Sequence, residues 1–418
     1  MTDRSYDAIV VGARAAGSPT AMLLARAGMR VLAVDRATFP SDTISTHQVQ
    51  LPGVARLRRW DLLQRLDDAG TPATRHLGFH AAVATLDGHF PAFDGVDALY
   101  SPRRTVLDQI LVDAARKAGA EVRENFTVDE IVSDDGVVTG IRGREANGAL
   151  VTERASIVIG ADGKHSIVAK AVGAQVEREI APRTVASYTY WRDLPTDGGE
   201  VHQKERRAVG LWPTNDGLTL SYAAWPIEEF ETFRADIEGN HVATLAAMGD
   251  LGDRVHAAER AERIRTTPDV PNVVRTPHGP GWALVGDAGL VMDPITGQGI
   301  GHAFGDAELA ADAIIAGLGG ATPLDEALAS YRQTRDAERL PMWDFTTELA
   351  AFGPPKPEER VLFDALAGNQ AETDRFFGVI TGAVPVNEYL SPGNLRKVIG
   401  LRGFAKIAIG KARAGRAA

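Results

Sequence analysis

The 418-residue chain has no cysteine. Disulfides, thiolate nucleophiles, cysteine-ligated zinc and iron–sulfur clusters are all excluded by that one absence. Positive charge is scarce: 45 Lys and Arg face 55 Asp and Glu, a formal net charge of −10. A nucleic-acid partner is therefore not expected, because a basic face is needed to displace counterions from phosphate. No apolar run approaches the ~18–20 residues that span a bilayer, so no stable membrane span is expected. The opening MTDRS runs almost directly into the strand-like DAIVV, which leaves no room for a signal peptide. A cytoplasmic protein is the resulting expectation. What the chain does have is bulk: 44% hydrophobic residues over this length can fill the cores of two or three domains.

The first 35 residues read as a β-α-β unit. Asp7–Gly12 (DAIVVG) is a β-branched run typical of a buried parallel strand. Ala15–Ala27 follows as a helix of small and apolar residues, with Pro19 in its first turn and Gly28 at its C-terminal stop. Arg30–Asp35 is the second strand. Between them lies Gly12-Ala-Arg-Ala-Ala-Gly17, a phosphate-binding turn that has its first and third glycines but Arg14 in the middle place. Arg14 must swing outward, either to reach a phosphate or to face solvent. The helix start at Ala15 and Ala16 offers free amides to a pyrophosphate. Asp35 stands 18 residues beyond Gly17, where a carboxylate accepts hydrogen bonds from an adenosine ribose, with Arg36 beside it. A negative charge there disfavours a 2′-phosphate, so the tightly held dinucleotide should not be NADP.

The far end of the chain is more specific. Residues 282–300, WALVGDAGLVMDPITGQGI, place Gly286-Asp287 at a strand end, Pro294 in a loop, and Gly297-Gln-Gly299 before Ile300 opens a long helix. Apolar residues at 300, 303, 304, 307, 310, 314 and 318 give that helix one buried face. A third motif, Gly160-Ala-Asp162-Gly163 with Ser166 and Val168, lies between the two ends. Together these resemble the p-hydroxybenzoate-hydroxylase type of FAD-dependent monooxygenase and the related geranylgeranyl-reductase-like flavoproteins. The resemblance covers roughly the first 320 residues. It implies a non-covalent FAD, with Asp287 on a ribitol hydroxyl and the helix near Gly299 pointing its positive end at the flavin. The family places arginine just after the valine; here Ala169 and Lys170 follow.

Other candidates are positional. Thr46 and His47 lie where the family's chain passes the flavin edge; His47 is either a flavin or substrate contact, a weak candidate acid–base, or a satisfied loop histidine. Arg103 and Arg104 sit where relatives set a polar residue against the FAD phosphates or ribityl chain, or else lie exposed on the surface, and Val128 sits where a strand backbone nears the adenine. Thr184–Trp191, Ala208–Trp212 and Leu218–Trp225 read as antiparallel strands, and Glu228–Arg265 as helical. Trp212, Tyr222 and Trp225 are substrate-pocket candidates, or core packing. His76, His80 and His89 look scattered and lack acidic companions, so no metal is expected. Residues 394–416 carry seven basic residues and no acid, which suits a solvated tail or weak contact with an anionic membrane.

The sequence thus predicts an α/β fold. A discontinuous Rossmann-type FAD-binding domain (1–75, 101–181 and 271–345) carries an antiparallel β-sheet substrate domain (76–100 and 182–270) and a helical C-terminal region (346–418). The resemblance implies an NAD(P)H-dependent monooxygenase that passes one oxygen of O₂ through a flavin C4a-hydroperoxide to a small aromatic or polyketide-like substrate. The alternative is a reductase of the geranylgeranyl-reductase type. A flavin halogenase is disfavoured by the missing Trp-x-Trp-x-Ile-Pro motif, and a non-catalytic flavin-binding protein is the remaining class.

Overall fold

The computed structural model describes residues 6–414. Two large sheets organise it. In the first, Glu121–Arg123, Val31–Val34, Tyr6–Val11, Leu150–Gly160 and Trp282–Leu284 lie side by side and parallel, with His278–Gly279 antiparallel at the edge. Val31–Val34 is buried throughout, as its unbroken apolar run requires of a strand covered on both faces. The helix Gly17–Arg26 crosses between the first two strands, and Arg104–Ala118 packs beside it. The long helix Gly299–Leu318 buries Ile300, Ala303, Phe304, Ala307, Ala310 and Ile314 on the face its periodicity marked. This is a Rossmann-type α/β sheet assembled from both ends of the chain.

The second sheet is mostly antiparallel. Its centre is Thr184–Arg192, Thr219–Pro226 and Arg207–Pro213, and it continues through Gly199–Lys204 to the hairpin His76–Ala81 and Ala84–His89. The register sets Tyr188 opposite Tyr222 and Trp212 opposite Leu220. Because side chains alternate, Tyr188, Tyr190, Trp212, Leu220 and Tyr222 share one face. Trp191, Val209, Leu211 and Ala223 share the other, packed under Leu245, Leu251 and Val255 of two helices, Ile237–Ala246 and Leu251–Ala257. The helical reading of Glu228–Arg265 therefore holds only to Ala257. Beyond it, Glu259–Arg260 and Arg265–Thr267 pair with the free edge of Thr184–Arg192, whose backbone groups would otherwise be unsatisfied.

The rest is helical. Leu324–Ala350 packs on Gly299–Leu318, and four further helices run from Pro357 to Ala414. Among the described residues no helix is long and apolar enough to cross a membrane. The basic stretch forms the helix Pro392–Ala414, broken by an extended turn at Gly400; residues 415 and 416 of that stretch lie outside the described residues.

Candidate active site

The phosphate-type turn is forced by close approach. Gly12 has φ +100°, and a Cβ there would stand 2.4 Å from the Ala161 carbonyl oxygen; one on Gly17 would stand 1.7 Å from the oxygen of Gly12. Neither position tolerates a side chain. The helix that follows Ala15 and Ala16 has no side-chain cap and no acid in its first turn, so its amide end is left open. Asp35 spans the mouth of the turn. Its Oδ2 accepts from Ala13 N at 2.8 Å and its Oδ1 from Ala37 N at 2.8 Å, while Arg36 beside it is exposed. The strand carrying Val128 starts close by, with Phe126 N donating to the Asp35 carbonyl at 2.8 Å.

Arg14 turns outward as its bulk demands, and is held there by polar partners. Its Nη1 lies 2.6 Å from Asp108 Oδ2, its Nη2 donates to Ser41 Oγ at 2.8 Å, and it stacks over Phe39. Asp108 has no exposure at all and takes Arg104 as a second partner at 2.9 Å. A fully buried carboxylate needs such pairing, and this captures Arg14.

The two glycine motifs meet in space. Gly286 has φ +58°, and its missing Cβ would lie 2.9 Å from the methyl of Ala16. Asp287, next in the turn, is exposed between buried Gly286 and Ala288, although the surrounding chain crowds its carboxyl. Burial pushes its carboxyl up to about 6, against the pull of Arg104, Lys164 and Arg275. Asp162 lies near the same rim; its Oδ2 accepts from Ile167 N at 2.7 Å and its Oδ1 is buried without a partner. Farther along, Asp293 is fully buried, accepts from Thr184 Oγ1 at 2.8 Å and caps the turn that holds Pro294. Burial raises it to about 6 as well. Gly297 has φ +64° and packs on Gln48; from Gly299 the long helix starts with no side-chain cap and no acid in its first turn.

His47 is a fully buried residue on the loop that follows the second strand. Its φ of +65° is unusual for a non-glycine residue, a strain that surrounding structure must hold. Nε2 lies 2.7 Å from Tyr190 Oη, and Tyr188 and Tyr190 both meet the ring edge-on. Nδ1 is buried without a partner. Burial, then the charge of Arg104, lowers its pKa to about 3, so the ring is neutral at ordinary pH. Thr46 precedes it, half-buried.

Arg103 is the residue before the helix; it pairs with Glu262, lies 3.6 Å from Asp216 and covers the ring of Tyr190, the partner of His47. Arg104, one residue on and inside the first helical turn, acts on both Asp287 and His47, and Arg103 acts on His47 as well. Trp225 stands on the wrong face of its strand, packed on Phe233 with Nε1 donating to Thr244 at 2.8 Å, whereas Tyr222 contacts Ile295 of the loop and Trp212 joins the main core. Tyr188 and Tyr190 were missed because only the register brings them over His47. His80 also acquires companions: Glu200 and His202 share its sheet face, with Arg254 paired to Glu200.

Comparison with known proteins agrees with this architecture. Residues 5–346 match the family described as FAD binding domain. Conditioned medium factor receptor 1 of Dictyostelium discoideum is 26% identical over 74% of this chain, and the match spans 63% of that receptor's length. A digeranylgeranylglycerophospholipid reductase of Methanocella arvoryzae is 25% identical, covering 74% of this chain and 77% of the reductase. Among solved structures, a probable FAD-dependent monooxygenase from Pseudomonas aeruginosa aligns with TM-score 0.70, 20% identity, and coverage of 90% and 99%. A flavin-dependent brominase aligns with TM-score 0.78, 19% identity, and coverage of 95% and 98%. The chain belongs to the FAD-binding domain family of flavin-dependent oxidoreductases.

Proposed function

We propose that the protein is an NAD(P)H-dependent monooxygenase that uses non-covalent FAD to place one oxygen of O₂ on a small organic substrate. The residues suit the cofactor. Two open helix starts, at Gly17 and Gly299, offer positive ends to its phosphates and ring. Asp35, with Val128 near the adenine, would hold the adenosine half. Asp287 would take a ribitol hydroxyl, and the Asp162 and His47 atoms without partners would complete the contacts. When bound, FAD supplies hydride acceptance and oxygen activation; the chain supplies position and shelter.

The observation that carries this reading is the aromatic roof. Tyr188, Tyr190, Trp212 and Tyr222 line one face of the antiparallel sheet, each with under a tenth of its surface exposed, above His47 and the Asp293–Gly299 loop. Such a roof excludes water, which oxygen transfer requires. The substrate domain (76–100 and 182–270) would thus present that face to a small aromatic or polyketide-like molecule. Neutral His47, aligned by Tyr190, would orient a substrate polar group rather than act as an acid. Turnover under ¹⁸O₂ tests the reading: one labelled oxygen in the product supports it. Full product yield without oxygen would instead establish the second reading, a prenyl-type reductase, which the reductase relative favours.

A further inference from the structure

The far end of the antiparallel sheet carries a polar cluster on the face turned away from the aromatic roof. Glu200 stands opposite Leu211 and His202 opposite Val209, so both share the face of those two residues, on which the helix Leu251–Ala257 packs. His80 is the partner of His202 on the neighbouring strand His76–Ala81. Glu200 and His202 are buried and His80 is part-exposed, so the cluster reaches solvent through His80.

The donors converge. One ligand atom from each of His80, Glu200 and His202 lies within 4.8 Å of the other two. His202 Nε2 stands 3.1 Å from Glu200 Oε2, near the ~3.3 Å between neighbouring ligand atoms on a tetrahedral cation with ~2.0–2.1 Å bonds. The His80 and His202 rings stack with centroids 4.6 Å apart. Among the described residues no hydrogen bond engages either nitrogen of His80. Its Nε2 is turned over Gly78, where a Cβ would stand 3.0 Å away, and Gly78 is the residue opposite Glu200. The missing side chain is what lets the ring lean toward the carboxylate. Burial pushes the Glu200 carboxyl up, but hydrogen bonds from His202 and Arg254 outweigh this and bring it down to about 2. Arg254 grips one edge of it, Nη1 on Oε2 at 2.9 Å and Nη2 on Oε1 at 2.6 Å. That grip fixes the carboxylate's direction, as the outer partners of metal ligands do, and Asp250, 3.8 Å away, offsets the arginine's charge. Burial, then the His202 charge, lowers His80, so its ring is neutral and able to ligate.

We infer that His80, Glu200 and His202 form a metal site for a divalent cation of the zinc type, with water in the remaining position. Two imidazoles and one carboxylate suit that ion and disfavour Mg²⁺ and Ca²⁺, which take oxygen ligands. The cation takes the Glu200 lone pair that His202 now uses, and the His202 proton passes from Nε2 to Nδ1. It thereby clamps His76–Ala81 to Gly199–Lys204, two strands from distant parts of the chain. The site lies on the opposite sheet face from Tyr190 and His47, so it rests on neither the flavin nor its reaction.

The test is calorimetric titration of the untagged full-length protein, as purified with its flavin and stripped of metal by EDTA, with ZnCl₂ and separately with MgCl₂. One equivalent of Zn²⁺ should bind, and Mg²⁺ should give no heat. His80→Gln, which breaks no hydrogen bond, should weaken Zn²⁺ by at least about 100-fold, more than loss of an outer partner does. His202→Gln, which keeps a donor for Glu200, should do the same. His89→Gln should leave the affinity unchanged, although that ring lies on the same face beside His76. Zn²⁺ should also raise the melting temperature of the parent and not that of His80→Gln, and the same melts confirm that each variant folds. No heat with Zn²⁺, equal affinity in the parent and His80→Gln, or loss of binding in His89→Gln would each overturn the proposal.

Discussion

Tyr190 Oη lies 2.7 Å from His47 Nε2, so a strand of the antiparallel sheet fixes an imidazole on the loop that follows the β-α-β unit. The pair ties that loop to the antiparallel sheet. Tyr190→Phe leaves that nitrogen buried without a partner and should cost about 1–3 kcal/mol of stability. Urea unfolding of the variant against the parent measures it; an unchanged midpoint would remove the pair from the account.

Asp287→Asn should weaken FAD retention by about 1–3 kcal/mol, the cost of losing a charge-assisted acceptor. The parent should also lose affinity as pH falls through about 6, where the Asp287 carboxyl takes a proton. The asparagine variant should lose that part of the pH dependence. Flavin fluorescence titrations between pH 5 and 8 follow both effects, and identical profiles for the two proteins would contradict the assignment.

Asp108 is the buried hub of Arg14 and Arg104. Asp108→Asn removes the charge that pairs buried Arg104 and part-buried Arg14, so a loss of about 3 kcal/mol is expected, with FAD affinity reduced as the turn at Arg14 loosens. A melting temperature equal to that of the parent would show that the triad is dispensable.

His241 is fully buried between Ser187 Oγ at 2.8 Å and Ser221 Oγ at 3.0 Å, and burial lowers its pKa from 6.5 to about 3. A histidine depressed in the folded state favours unfolding in acid, because only the unfolded chain binds the proton. Its contribution is complete above pH 6.5 and is lost as pH falls from there towards 3. His47 acts in the same sense. Asp287 and Asp293, raised to about 6, act oppositely: their contribution is present at low pH and lost as pH rises through 6. His241→Gln should therefore flatten the loss of stability between pH 6 and 4 by up to about 1.4 kcal/mol per pH unit, one proton's worth. Denaturation at several pH values reads the slope; an unaltered slope would mean that His241 titrates normally.

Gly12→Ala must place a methyl 2.4 Å from a backbone oxygen at a φ of +100°. At least about 2 kcal/mol of destabilisation is expected, from strain alone before the clash. A variant that melts with the parent and retains flavin would require a different backbone at the turn.

Local backbone demands were legible in the chain itself. Gly12, Gly17, Gly286 and Gly297 advertise places where two backbones touch or where φ is positive, and such needs are written in single residues at fixed spacing. The buried run Val31–Val34 and the one-sided helix Gly299–Leu318 were readable from periodicity for the same reason. Which face of a strand a side chain takes was not: Trp225 turns away from Tyr222 because three residues along a strand reverse the face. Tyr190 reaches His47 across 143 positions of chain, and Arg14 reaches Asp108 across 94. Contacts of that range depend on strand register and on the pairing of buried charge, so only the assembled tertiary structure could decide them.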